Sequence, residues 1–382
     1  MSLLSRMFGM GDQARPASPL ELDLVRLKKA AGALGEKKSA LGLKGLTPPE
    51  QLHQINRYFG SRLSQCKPRD RVGVANAIAG ADKVLPADMR TATGSLDSPE
   101  ARSVRETGCA DLGHLFSPAQ VEEIHAHLRS KPVLLAHDAH TAKDRVASLS
   151  DVPADQNYAC YDYLDVWSAP HILSVATQDR LLDLAQSYFG GAPTLYSINA
   201  FWSFPNRQPH PYSQVFHRDW EDYRSLVAFT LLTPVDDPEE GAHYYVERSH
   251  EVAKFEASLR AGGVEGGDVE ALSARGTGIA PLAMKLFEHT ARRFDGPAGR
   301  SFCGDGYGLH RAVVPKSRPR LLLWMRFGNF YNETAYKIPP ITGDLDTVQR
   351  VLRSISATPR HRYVFRYLIE ALSSVPGVRP SA

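Results

Sequence analysis

The chain has 382 residues, of which 43% are hydrophobic and 23% charged, enough to bury a full core and build one large domain with an extension. With 45 Lys and Arg against 42 Asp and Glu the formal net charge is +3, which excludes nucleic acid or an anionic membrane as a charge-driven partner. The four cysteines, Cys66, Cys109, Cys160 and Cys303, form no CxxC or zinc-spaced set, which excludes a structural zinc module and leaves small buried hydrophobes of a reducing compartment.

Residues 1 to about 20 have a brief apolar run without the core or cleavage site of a signal peptide. No apolar stretch reaches the length of a membrane span, so a cytoplasmic protein without membrane insertion is expected. Helical periodicity begins at Ser18-Pro19 in "SPLELDLVRLKKAAGAL" and restarts at Thr47 in "TPPEQLHQINRYFGSRL". From there to Gly108 the pattern is weak, and residues 1–110 are expected to form an irregular, partly helical extension. In "SPAQVEEIHAHLRS" Ser117 caps a helix whose apolar stripe is Val121, Ile124 and Leu128. Another helix, "DRLLDLAQSYFG", stops at Gly190-Gly191.

The texture then changes. "PTLYSINAFWSF", "SQVFHRDW", "SLVAFTLLTPV", "AHYYVER", "GRSFCG" and "RLLLWMRFGNFY" are short, rich in β-branched and aromatic residues, and punctuated by Pro, Gly and Asp. Such strands predict an antiparallel sandwich or jelly roll over residues 111–340. The Gly-rich stretch 251–295 interrupts them as a partly helical insert, a candidate closing element. Residues 341–382 are expected to be C-terminal helices.

"FHRDW" at 216–220 has two incompatible readings. As a kinase catalytic loop it needs an Asn five positions after Asp219, where Arg224 stands, and an Asp-Phe-Gly downstream, where "GDGYG" lacks the Phe. "GPAGRS" at 296–301 likewise lacks a phosphate-loop lysine. As a metal motif it does better. On a strand His217 and Asp219 project together while Arg218 points away, offering the mixed N/O pair that suits ferrous iron. "YGLHRAVVPKSRPRLLLWMRF" supplies a second imidazole, His310, and a two-His, one-carboxylate face leaves adjacent metal positions open for co-substrate and dioxygen. An Arg some ten residues beyond is placed to pair bidentately with the far carboxylate of a chelating dicarboxylate.

These residues, with the helix "FSPAQVEEIHAHL", the strand "LYSINAFWSF", the core "HRDWEDYRSLVAFTLLTPVDDPEEGAHYYVERSH" and "FCGDGYGLHRAVVPKSRPRLLLWMRF", resemble the phytanoyl-CoA dioxygenase family of iron(II)- and 2-oxoglutarate-dependent oxygenases over roughly residues 112–332. The resemblance implies a mainly β fold with flanking helices, a double-stranded β-helix (jelly-roll, cupin-like) core. It implies His217, Asp219 and His310 as iron ligands and Arg320 as the partner of the 2-oxoglutarate C5 carboxylate. Arg318, on the same nominal face, and Arg326 further along are the alternatives to Arg320, because the interval from His310 is one residue shorter than the family's. Asn199 and Ser197 lie where such enzymes place further co-substrate contacts. The implied cofactors are Fe(II), 2-oxoglutarate and O2, and the implied reaction is hydroxylation of a small-molecule substrate with release of succinate and CO2. Relatives that halogenate leave the carboxylate position vacant, whereas Asp219 fills it here.

The competing expectation is a cupin-like metal protein without redox chemistry, an isomerase or a binding domain. Among other polar residues, His250 and Asp305 read as turn stabilisers and His243 and His289 as structural, while Trp220 and Tyr223 read equally as pocket lining or core.

Overall fold

The computed structural model describes residues 24–33, 46, 48–81, 85–90, 92, 94–136, 142–205, 215–274, 280–329 and 338–378. The expected helix start at Ser18-Pro19 and the Thr47 start lie outside these residues. Among the described residues eleven strands run β1 Cys109–His114, β2 Val133–Ala136, β3 Ala142–Val146, β4 Tyr158–Cys160, β5 Thr194–Ser203, β6 Ser225–Leu231, β7 His243–Tyr245, β8 Arg292–Phe294, β9 Arg300–Gly304, β10 His310–Ala312 and β11 Arg320–Gly328. All pairings are antiparallel. Eight strands form a sheet in the order β1-β9-β6-β11-β5-β4-β2-β3, and a smaller sheet has the order β10-β7-β8. Phe294 of the small sheet stacks on Phe302 of the large one with centroids 4.6 Å apart, so the two sheets close over one interior. The fold is a jelly roll with flanking helices.

Alternation on β11 sorts the layers. Leu321, Leu323, Met325 and Phe327 join a cluster with Trp167, Leu182, Val351 and Leu368, which is the helical layer on the outer face of the large sheet. Leu322 and Trp324 face inward with Phe229 and Phe302. Burying each such side chain contributes about 1.5–3 kcal/mol, which is why this nearly all-apolar strand sits at the centre of the sheet. The helix Pro118–Arg129 begins in a capping box. Ser117 Oγ accepts from Gln120 N, and Gln120 Oε1 accepts from Ser117 N.

The described residues between 71 and 107 hold more regular structure than their weak periodicity implies. The helix Arg71–Ala79 buries Val74, Ala75, Ala77 and Ile78 on several sides, so small residues replace an amphipathic stripe. The helix Pro99–Thr107 is capped by Ser98 Oγ, which accepts from Ala101 N, and ends at Gly108 with φ 88°. The helices Leu24–Ala33, Pro48–Gly60 and Arg71–Ala79 share a separate apolar cluster that closes on Tyr223 and Tyr363. β1 pairs with β9, so the chain enters the large sheet already at Cys109.

The described residues of the insert 251–295 are largely helical. Its helices Val252–Ala261, Gly267–Ser273 and Ala280–Phe287 have an apolar cluster of their own that includes Phe216 and Leu309, and its last residues form β8. Among the described residues no helix is long and apolar enough to cross a membrane.

Candidate metal centre

Two segments meet by backbone hydrogen bonds at the small sheet's edge. His217 N donates to His310 O at 2.9 Å and His310 N to His217 O at 3.1 Å, while Asp219 N donates to Gly306 O at 2.8 Å. The "FHRDW" stretch is therefore a single bridge and not the regular strand expected of it. The alternation survives: His217 and Asp219 turn to one side, whereas Phe216 packs on the insert and Arg218 donates to Leu272 O, Ser249 O and Tyr307 O. Glycine is required at the turn before His310. A Cβ on Gly308 would overlap the Tyr245 hydroxyl, and one on Gly306 would stand 2.9 Å from Ser225 Oγ and 3.3 Å from Asp219 Cβ.

Each imidazole is oriented by its own chain. Nδ1 of His217 lies 2.8 Å from Val215 O, and Nδ1 of His310 lies 2.8 Å from Gly308 O. A carbonyl only accepts, so both Nδ1 atoms carry the proton and both Nε2 atoms present a lone pair. These Nε2 atoms stand 3.6 Å and 3.8 Å from Asp219 Oδ1 and Oδ2 respectively. That is too long for a hydrogen bond, which separates the arrangement from a plain His–Asp pair. One ligand atom from each of the three residues lies within 4.8 Å of the others. Neighbouring donors on an octahedral ion are about 3 Å apart, so the three fit one face of a divalent cation after a small contraction. Burial, then the neighbouring His217, brings the His310 pKa down to about 4, which keeps its ring neutral as a ligand must be.

Behind Asp219, Arg326 Nη1 lies 3.4 Å from Oδ2 and is held by Glu221 Oε1 and Oε2 at 2.6 Å and 2.7 Å. Tyr196 donates to the same Glu221 at 2.8 Å. Arg326 is thus committed to acidic groups. Arg320 is 3% exposed, and its guanidinium donates to Gly241 O and, at 3.2 Å, to Ser203 Oγ, both neutral acceptors. Its Nε is buried with no hydrogen-bond partner, no carboxylate lies within ion-pairing distance among the described residues, and burial brings its pKa down to about 10. Arg318 precedes the strand, points outward with its side chain 57% exposed, and lies 3.8 Å from Asp236.

Register places Ser203 opposite Arg320, Asn199 opposite Trp324 and Ser197 opposite Arg326, so Asn199 and Ser197 share the inward face with both arginines. Both are buried, and Asn199 Oδ1 accepts from Ala200 N at 2.7 Å. Trp220 and Tyr223 do not line this space. Trp220 donates to Leu63 O and Tyr223 to Phe59 O, tying the segment to the N-terminal helices. Asp305 Oδ1 accepts from Tyr307 N at 2.8 Å as a turn cap, but the residue also pairs with Arg71 at 3.2 Å. His289 is exposed.

His243, expected to be structural only, faces the same interior. Its ring stacks at 5.4 Å and 23° on His310, and burial, followed by His310 and Arg320, holds its pKa well below the ordinary 6.5. The signal for it was thin: a polar residue at an inward position of a three-residue strand.

No family model matches the chain, and no curated protein matches it. Solved structures similar to it include the non-heme alpha-ketoglutarate-dependent epimerase SnoN from nogalamycin biosynthesis, at 16% identity and a TM-score of 0.38 over 60% of this chain and 80% of that one. The carbocyclase SnoK of the same biosynthesis is 16% identical with a TM-score of 0.41, over 62% and 85% of the two chains. HygX from Streptomyces hygroscopicus, with nickel and 2-oxoglutarate bound, is 15% identical with a TM-score of 0.39, over 61% and 87%.

Proposed function

We propose that the protein is an Fe(II)- and 2-oxoglutarate-dependent oxygenase of the phytanoyl-CoA dioxygenase-like kind, which hydroxylates a C–H bond of a small molecule and releases succinate and CO2. The observation that carries this is the pairing of a facial His217/Asp219/His310 set with a buried arginine that has no acid of its own. A metal set alone serves many chemistries. A buried, uncompensated guanidinium beside it asks for an anionic ligand.

In this reading His217, Asp219 and His310 hold the ion, and the two Nδ1 hydrogen bonds fix the rings so that Nε2 ligates. Ferrous iron bound there supplies the redox chemistry that couples O2 reduction to decarboxylation of 2-oxoglutarate and oxidation of substrate. Arg320 takes the C5 carboxylate, and Asn199 and Ser197 contact the co-substrate from β5. The Glu221–Arg326 pair restrains Asp219 Oδ2, which keeps that carboxylate in place as a ligand. Phe201, Leu322 and Trp324 give the interior an apolar floor that limits water around the reacting groups.

The test is anaerobic titration of the Fe(II)-loaded protein with 2-oxoglutarate. A weak visible charge-transfer band is expected on chelation. A metal-replete sample that shows no band would replace this reading with a cupin-like metal protein that does no redox chemistry.

A further inference from the structure

His243 is 7% exposed, enclosed by Phe229 at 5.1 Å, Phe302 at 5.2 Å and His310 at 5.4 Å between ring centroids. Among the described residues neither of its ring nitrogens makes a hydrogen bond. An imidazole held at an inward position among aromatic rings, with no hydrogen-bond partner from the protein, is available to a ligand that enters this interior. Its place in the fold is also specific. β7 sets His243 opposite Ala312, on the strand whose pairing partner starts with His310. Two residues before it, Gly241 O accepts from Arg320. The same short segment thus carries both the carbonyl that holds the Arg320 guanidinium and the ring that stacks on His310, which sets His243 between that arginine and the candidate centre.

We propose that His243 is a co-substrate-binding residue: its imidazole hydrogen-bonds the 2-oxo acid where that ligand runs from the His217/Asp219/His310 centre to Arg320. This rests on the function proposed above and extends it to a residue outside the metal set. The ligand supplies the hydrogen-bond partner that the protein does not. The neutral ring donates from one nitrogen to a carboxylate oxygen, and no proton is transferred.

The experiment compares wild type, His243→Leu and His243→Asn, each loaded anaerobically with Fe(II) and titrated with 2-oxoglutarate while the charge-transfer band is followed. Iron affinity is measured separately without 2-oxoglutarate, and thermal unfolding reports on the fold. His243→Leu is expected to bind 2-oxoglutarate about tenfold to hundredfold more weakly, the effect of losing one hydrogen bond to a charged group, with iron affinity and unfolding midpoint unchanged. His243→Asn, which keeps a donor, is expected to recover part of that loss. Wild-type 2-oxoglutarate affinity in His243→Leu overturns the proposal and leaves the ring as packing. Weakened iron binding in both variants also overturns it, because His243 would then support His310 and not the acid. Absence of a band in the wild type is a different result, and it removes the oxygenase reading itself.

Discussion

Arg320 and Arg326 project from the same face of β11, and their surroundings separate them. Arg326 is neutralised by Glu221 and leans on Asp219, whereas Arg320 is held only by Gly241 O and Ser203 Oγ. Replacing Arg320 with Met is therefore expected to weaken 2-oxoglutarate binding by about a hundredfold, as two charge-assisted hydrogen bonds are lost, and to leave iron affinity alone. Lys at this position should not restore binding, because a point charge lacks the planar fork that meets a carboxylate bidentately. Normal 2-oxoglutarate affinity in Arg320→Met would show that the clamp lies elsewhere. The sequence left Arg318 and Arg320 open for a physical reason: they share parity, and only the start of the strand distinguishes them. The structure starts β11 at Arg320 and leaves Arg318 in the preceding turn. The meeting of His217, Asp219 and His310 was legible because their spacing and the Gly-rich turn encode it locally. His243 was not, since a lone histidine in a short strand has no motif to announce it.

The turn that delivers Arg320 to its strand depends on one carboxylate. Glu240 accepts from Ser317 N at 3.0 Å, from Ser317 Oγ at 2.5 Å and from Arg318 N at 3.1 Å. Burial works against the charge, but these hydrogen bonds outweigh it and bring the Glu240 pKa from an ordinary 4.5 to about 2. A depressed carboxylate contributes its stabilisation fully above the unfolded value and loses it as pH falls through the folded one. The 315–319 turn should thus stay protected at pH 5 and open as the pH is lowered from about 4.5 towards 2. Amide hydrogen exchange at Ser317 and Arg318 measures this directly, corrected for intrinsic rates. Glu240→Gln should show fast exchange already at neutral pH, and equal protection in the variant would remove Glu240 as the anchor. At this scale the long strands β5, β6 and β11 were readable from their apolar runs. β2, β3 and β4 were not, being short strands towards one end of the sheet with little alternation. "FHRDW" was over-read as a strand because one bridge with two flanking hydrogen bonds leaves the same alternation as a full ladder.

Across the whole molecule the N-terminal helices are tied to the candidate centre through one buried cation. Arg71 donates to Tyr223 O at 2.8 Å, to His250 O at 2.9 Å and to Asp305 Oδ2 at 3.2 Å. Asp305 also accepts from the Tyr188 hydroxyl and from Tyr307 N, and its turn continues into Gly306 O, which holds Asp219 N, and Gly308 O, which orients His310. Burial raises the Asp305 pKa, but Arg71, His250 and the Tyr188 hydroxyl more than offset it, so the pair stays ionised. None of this was visible in the sequence, where Arg71 opens a helix with no clear stripe and its partners lie far along the chain. Arg71→Met would strand a buried carboxylate and is expected to cost about 3–5 kcal/mol in urea or thermal unfolding. Arg71→Met combined with Asp305→Asn removes both charges and should be less destabilised than the single variant, because no uncompensated ion remains. If the two substitutions instead add, the pair is not coupled, and the N-terminal helices brace the fold through their apolar cluster and the Trp220 and Tyr223 hydrogen bonds. Coupling would mean that the extension belongs to the same cooperative unit as the turn carrying His310, so that iron affinity and global stability fall together in Arg71→Met and recover together in the double variant.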